Sequence, residues 1–332
     1  MKKLLSHLLN FFSYIYSQLI NFNLMLINSS SKKFYYNHSL AFGDSICYYL
    51  HFYKDIVASK KNIPLAFGGF QQEIVEFFFY NYKKIFFKIY SFMPYYRICK
   101  YLWNSSHFKP TINYYLDKNN MMTDELLLKK NYDLTLKKIL KKKKIKVEIK
   151  KLTKKKYVCF FFKYYNNNIN DIFSLPSARQ STDINKIENI ISYLILKKFN
   201  IFVFGDHRDK GTLILKKKYY NNPCMYFMTD FRVNVSEQIY IANQSQGYVG
   251  NQAGTIIPFL LLKKKTLVFD CISTPYIKVN TDLSHATYLF KKIIINNKKI
   301  KLHTRYLSYK KKFSVIENNF NEIKIKINKI FL

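Results

Sequence analysis

Between Tyr157 and Asp270, short unbroken apolar runs alternate with stretches of helical periodicity, and this constrains the fold more than any other feature of the chain. The runs are Tyr157 to Phe162, Ile201 to Phe204, Cys224 to Met228, Gly247 to Val249 and Thr266 to Phe269. A run without polar alternation fits a strand covered on both faces, as in a parallel sheet. Between the runs, Ile184, Ile187, Ile190, Ile191 and Leu194 mark one face of a helix that Thr182 or Asp183 can cap. Val235 to Gln244 reads as a helix capped by Asn234, and Thr255 to Leu262 as one that starts directly after Gly254. Such alternation builds an open α/β sheet, whose ligands collect at the carboxyl ends of its strands. Two glycine turns, Gly205-Asp206 and Gly250-Asn251-Gln252-Ala253-Gly254-Thr255, fall where apolar runs end.

A similar unit recurs nearer the N-terminus. Phe34 to Phe42 predicts a strand ending in Gly43-Asp44-Ser45, followed by a helix over 46–59. Ile63 to Phe67 closes on Gly68-Gly69, and Gln71 to Tyr80 resumes as a helix. At 332 residues the chain has room for two domains, each with its own core. Residues 86–122 show no clean period, Thr123 to Leu140 reads as a helix, and lysine-dense 141–156 as an exposed strand or connector beside the domain boundary. The expected organisation is an amphipathic or membrane-proximal helix (1–33), an N-terminal α/β lobe (34–150), a C-terminal α/β lobe (151–310) and a helical tail (311–332). Lys291 onward reads as a Lys- and Ile-rich tail with helical character. The expected fold class is α/β, with two Rossmann-like lobes and a cleft between them.

The formal net charge of +35 suggests a polyanionic partner, but nearly all of it is lysine. Arginine stands only at 97, 179, 208, 232 and 305, whereas base-edge readout favours the forked guanidinium. Abundant Lys, Asn, Ile, Phe and Tyr with scarce Gly, Ala and Pro also matches A/T-rich codons. The charge therefore predicts a solvated or anionic-membrane-facing surface, and no specific nucleic-acid partner. Cys47, Cys99, Cys159, Cys224 and Cys271 are odd in number and widely spaced, as buried thiols of a reducing compartment are. With neither a C-x-x-C pair nor an H-E-x-x-H, no metal or other cofactor is expected. Leu4 to Ile27 is apolar but broken by His7, Asn10, Ser13, Ser17, Gln18, Asn21 and Asn23, so a helix packed on the protein or lying at a bilayer surface is favoured over a spanning anchor.

Each candidate site residue has a functional and a structural reading. Small residues at Gly250, Asn251, Gly254 and Thr255, ahead of a helix, suit a diphosphate held by backbone amides; Gly254 can equally serve only a tight turn. Arg179 offers a bidentate grip on phosphate, or a salt bridge to Asp183. Gly205, Asp206 and Arg208 end another strand, with Asp206 suited to a sugar hydroxyl and Arg208 to phosphate, or together form a surface turn. Asp44 is placed as a general base or as a helix cap. Glu237 can bind a ribose, although a first-turn partner of the helix dipole is the better reading.

The order Val158-Cys159-Phe160, Ser177-Ala178-Arg179-Gln180-Ser181-Thr182-Asp183, Val203-Phe204-Gly205-Asp206 and Tyr248-Val249-Gly250-Asn251-Gln252-Ala253-Gly254 resembles a bacterial family of glycosyltransferases, over about 110 residues. The resemblance implies a GT-B-like fold and transfer of a hexosyl or related sugar from a nucleotide-sugar donor to a surface glycan or lipid-linked acceptor. The chain departs from the family pattern in three places. Phe161, Phe162 and Lys163 stand where His-x-Arg is usual, Gln180 replaces Asn, and Ala253 stands where Ser precedes the glycine. The resulting expectation is a metal-independent cytoplasmic glycosyltransferase, peripheral at the inner face of the cell membrane, with a catalytically degenerate glycan- or nucleotide-binding protein as the alternative.

Overall fold

A computed structural model describes residues 2–27, 33–36, 42–88, 98, 132–164, 181, 183–205, 209–273, 285–303 and 315–332. The chain forms two compact units, Met1–Met121 and Met122–Leu332, so the division falls ahead of the expected 150/151 boundary.

In the first unit a long helix α1 (Lys2–Ile27) precedes strand β1 (Lys33–Tyr35), helices α2 (Phe42–His51) and α3 (Tyr53–Val57), strand β2 (Asn62–Ala66), helix α4 (Gly69–Phe78) and strand β3 (Ile85–Phe86). The strands form a parallel sheet in the order β1-β2-β3. Ile20 and Leu24 of α1 pack with Phe34, Ile63, Leu65 and Phe67 in one apolar cluster. Burying such side chains stabilises by about 1.5–3 kcal/mol each. Gly68 and Gly69 take φ of 78° and 52°, which turns β2 into α4, and the buried Gln71 amide accepts from Phe67 N at 3.0 Å. The described part of the first strand ends with Tyr35, and α2 begins at Phe42. Gly43 and Asp44 therefore sit in a first helical turn and not in the turn that the sequence predicts.

The second unit starts with α5 (Tyr132–Leu140) and α6 (Val147–Leu152). The lysine-dense segment thus contains a short helix where a strand or connector is expected; Lys and Glu are better helix formers than strand formers, and Ile149 supplies the one buried anchor of α6. There follow β4 (Tyr157–Phe161), α7 (Ile184–Leu196), β5 (Asn200–Val203), α8 (Lys210–Tyr219), β6 (Met225–Phe227), α9 (Val235–Gln244), β7 (Gly247–Gly250), α10 (Ile257–Leu261), β8 (Lys265–Cys271) and β9 (Ala286–Phe290). The six strands form one sheet in the order β6-β5-β4-β7-β8-β9, with every pair parallel. Counted from β4 this is the 3-2-1-4-5-6 order of a Rossmann sheet, so the winding reverses between β4 and β7. Val158, Phe160, Ile187, Ile190, Ile191, Leu194, Val203 and Val249 lie in its core.

After β9 the chain does not continue as a helix. Strands β10 (Lys292–Ile295) and β11 (Lys298–Lys301) form an antiparallel hairpin, and β12 (Val315–Ile316) pairs with β10. Asn296 and Asn297 take φ of 49° and 61° at its tip, as a two-residue primed turn requires, while buried Ile293 alternates with the exposed Ile294. Helix α11 (Phe320–Phe331) then packs on β8 and α7 through Ile323, Ile327 and Phe331. No helix among the described residues is long and apolar enough to cross a membrane.

Candidate functional site

The switch point between β4 and β7 is built around two glycines. A Cβ on Gly250 would lie 2.3 Å from the Phe161 carbonyl oxygen, and one on Gly211, in the first turn of α8, would lie 2.0 Å from that of Phe162. Only glycine lets both neighbours close on the end of β4. Tyr164 and Ser181 meet there, forming a parallel bridge, and Ser181 N donates to Lys163 O at 2.9 Å.

Asn251 fastens these pieces. Its backbone N–H donates to Phe161 O at 3.0 Å, its Oδ1 accepts from Lys163 N at 2.9 Å, and its Nδ2 donates to Ser181 Oγ at 2.9 Å and Phe269 O at 3.3 Å. The Tyr248 phenol donates to the Asn251 carbonyl at 2.8 Å, and burial pushes that phenol's pKa up. Gln252 is also buried, with Oε1 accepting from Ile272 N at 3.1 Å. The first half of the glycine turn is thus filled by its own side chains, contrary to an open cradle running from Gly250 to Thr255. Gly254 is exposed and Thr255 half-buried, where a single 3₁₀ turn (Gly254–Ile256) leads into the five-residue α10.

Beside Asn251 lies a buried charged cluster. Asp270 ends the apolar run of β8 with φ of 52°, at a bulge in the pairing with β9. Its Oδ2 receives the Lys186 ammonium at 2.6 Å and the Ser181 hydroxyl, and its Oδ1 accepts from Asn318 N at 2.8 Å. Asn318 Oδ1 returns the contact by accepting from Asp270 N at 2.7 Å. Lys186 also meets Glu317 at 2.7 Å, and Glu317 meets Lys291 at 3.2 Å. Burial alone would lower the Lys186 pKa, but the carboxylates of Asp270 and Glu317 outweigh it and raise it. Burial likewise works against the Glu317 carboxylate, yet Lys291 and Lys186 hold its pKa below the ordinary value. The cluster ties α7, the end of β8 and the start of the C-terminal helix into one rim at the carboxyl edge of the sheet.

The structure places the expected site residues differently. Gly250 and Asn251 build the switch point and Gly254 reaches its surface, while Thr255 is half-buried with its hydroxyl oxygen turned inward. Gly205, with φ of 132°, turns β5 toward α8, and a Cβ there would lie 2.1 Å from Thr212 Oγ1. Glu237 is 1% exposed in a capping box, accepting from Asn234 N at 3.1 Å and Lys146 N at 3.3 Å, with Lys146 Nζ at 3.4 Å. That carboxylate is committed inside the protein. Arg179, Asp206, Arg208 and the side chain of Asp44 lie outside the described residues. Among the described residues no group of three His, Cys, Asp or Glu side chains stands close enough to hold a metal ion.

No family model matches the chain, and no curated protein matches it significantly. Among solved structures it is similar to the ADP-heptose LPS heptosyltransferase II of E. coli, with a TM-score of 0.50 and 7% identity, covering 90% of this chain and 98% of that one. The fold is GT-B-like. Looser likenesses are to a glycosyl transferase family 9 protein of Veillonella parvula (TM-score 0.31, 9% identity, 74% of this chain and 67% of that one) and to the UDP-GlcNAc 2-epimerase of Methanocaldococcus jannaschii in complex with UDP-GlcNAc and UDP (TM-score 0.33, 13% identity, 88% and 82%).

Sequence reasoning overlooked Ser181, Lys186, Asp270, Glu317 and Asn318. Two of them leave a signal. Lys186 borders the apolar face of a helix, and Asp270 closes a continuous apolar strand; a charge in either place asks for a partner once it is buried.

Proposed function

We propose that the chain is a glycosyltransferase that binds a nucleotide-sugar donor at the carboxyl edge of its second sheet. The observation that carries this reading is the 3-2-1-4-5-6 parallel order, with a switch point bounded by the paired ends Tyr164 and Ser181 and by a turn that is exposed at Gly254. Parallel α/β sheets collect anionic nucleotides at this location, where helices begin and backbone amides point outward. In this reading Gly254 and Thr255, with Arg179 and Arg208, hold the diphosphate and stabilise the charge that develops as the nucleotide departs, without a metal ion. Asp206 meets a donor hydroxyl, and Asp44 removes the proton of the acceptor hydroxyl. The acceptor is a cell-surface glycan or its lipid-linked precursor, met at the inner face of the cell membrane.

The test is nucleotide release across a panel of nucleotide sugars by the parent chain, Arg179→Ala and Gly254→Val. Release by the parent and a loss of about 10²-fold in kcat/KM for each variant is expected. No release from any donor, or variants equal to the parent, removes the reading.

A second reading follows from the filled switch point. Asn251 and Gln252 occupy the first half of the turn, and the Lys163 amide is already engaged by Asn251. That favours a protein that keeps the fold and binds nucleotide or glycan without turnover. Calorimetric binding of a nucleoside diphosphate, with no release from its sugar conjugate, separates it from the first reading.

A further inference from the structure

Helix α1 is inverted with respect to a soluble amphipathic helix. On the face turned to the protein, Ser13 and Ser17 are fully buried, and their hydroxyls donate to the carbonyls of Leu9 and Tyr14, both at 2.7 Å. Ile20 and Leu24 continue that face into the core of the first unit, and the Tyr16 phenol donates to Lys88 O. The opposite face carries Leu8, Phe12, Ile15, Leu19, Phe22 and Leu26, which are between 41% and 70% exposed. At 100° per residue these side chains fall within a stripe roughly 80° wide and about 27 Å long. Phe11, 58% exposed, widens it on one side and Leu5, also 58% exposed, on the other. Soluble proteins place hydroxyls outward and hydrocarbon inward; a continuous exposed apolar stripe of this size marks a surface that is covered in use.

Charge selects the occupant. Residues 4–27 contain no Asp, Glu, Lys or Arg, while Lys2 and Lys3 open the helix and Lys32 and Lys33 follow it in the chain. The 4-3-4-3-4 spacing of the stripe would also suit a seam between two copies. Two copies in either orientation would, however, bring lysine-bearing ends together and join chains of net charge +35. An anionic lipid surface takes both ends favourably while its hydrocarbon boundary accepts the stripe.

We infer that the outward face of α1 is a docking surface for an anionic phospholipid bilayer, with the helix lying in the interface and its serine face on the protein. This deepens one part of the reading above, the contact with an anionic membrane, and rests on that part alone. Vesicle binding and nucleotide release are measured separately, so the failure of one is not the failure of the other.

The experiment is flotation of the full chain with vesicles of phosphatidylcholine alone and with about one third phosphatidylglycerol, at low and high salt, for the parent and for Phe12→Glu/Leu19→Glu. The parent is expected to float with the anionic vesicles and the double variant to lose at least about tenfold in partitioning. Because two new charges can perturb the helix, a second measurement uses Phe22→Trp in a Trp103→Phe background, with brominated lipids as short-range quenchers. Quenching and a blue shift of the introduced indole on vesicle addition are expected. Three outcomes overturn the inference: no flotation of the parent, equal salt-sensitive flotation of parent and double variant, or an unquenched indole in the Phe22→Trp chain alongside a dimer in sedimentation that the double variant dissociates.

Discussion

Lys186 and Asp270 form a buried ion pair at 2.6 Å where α7 meets the carboxyl end of β8, and Ser181 and Asn251 extend it to the switch point. Two charges removed from water hold together only because each is met by further partners: Glu317 for the ammonium, Ser181 and Asn318 for the carboxylate.

Removing one partner leaves the other charge uncompensated. Lys186→Met is expected to cost about 3–5 kcal/mol in urea unfolding, and Lys186→Met combined with Asp270→Asn to recover more than half of it. Asn tolerates the positive φ of 52° at position 270, so the second change adds little backbone strain. A single-variant loss below about 1 kcal/mol would show that water reaches the cluster.

The same cluster sets a pH window. Glu317 is depressed from an ordinary value of 4.5, so its contribution is present above that pH and is lost as pH falls through the lower folded value. Lys186 is raised above 10.5, so its contribution is present below that pH and is lost as pH rises through the folded value. Asp270, raised mainly by burial against the pull of Lys186, has the opposite sign to Glu317 and softens the acid limb. Melting temperature is therefore expected to hold level between the two limits and fall on either side. Glu317→Gln should flatten the acid limb; an unchanged limb would assign acid unfolding to other carboxylates.

Gly211 sits in the first turn of α8, where alanine would ordinarily stabilise a helix by about 1 kcal/mol. Its absent Cβ would lie 2.0 Å from the Phe162 carbonyl oxygen, so Gly211→Ala should instead destabilise by about 1–3 kcal/mol. A gain in the urea midpoint would mean that α8 can lift away from β4 without loss.

The glycine turn divides between structure and surface, and two variants separate its halves. Asn251→Ala leaves the Lys163 amide without its acceptor and should cost about 1–3 kcal/mol, with faster hydrogen exchange at that amide. Gly254→Val, at an exposed position, should change stability by no more than about 0.5 kcal/mol while weakening nucleoside diphosphate binding. If both variants act on stability alone, the outward half of the turn is not a ligand site.

Glu237 provides an internal control. Its carboxylate closes a capping box and meets Lys146, so Glu237→Gln should lower stability by about 1 kcal/mol and leave nucleotide affinity unchanged. Weaker binding at unchanged stability would make it a ligand after all.

The second sheet is legible because its strands are buried on both faces and so read as unbroken apolar runs, and because Asp183 and Asn234 stand where they cap, each accepting from a backbone amide three residues on. Two elements of that sheet escape notice. Helix α8 carries Lys216, Lys217 and Lys218 in its last turn and only a narrow buried face, and β9 mixes buried Ala286 and Phe290 with half-covered Thr287, Tyr288 and Leu289. Elements that bury little leave little periodicity. The hairpin of β10 and β11 is hidden in a similar way, because lysine dominates its outer positions and the turn signal is Asn-Asn rather than a glycine pair.

The sequence by itself determined the α/β class, the parallel character of the second sheet and the two glycine turns, since each rests on residues close together in the chain: local hydrophobic period, capping and backbone permissiveness. Only the tertiary structure decided that the Gly250–Thr255 turn is exposed at Gly254 alone, that Lys186 and Asp270 pair across 84 positions, and that α1 turns its serines inward and its hydrocarbon out. Those outcomes depend on which partner arrives at a given distance from a distant part of the chain, and residue spacing carries no information about that.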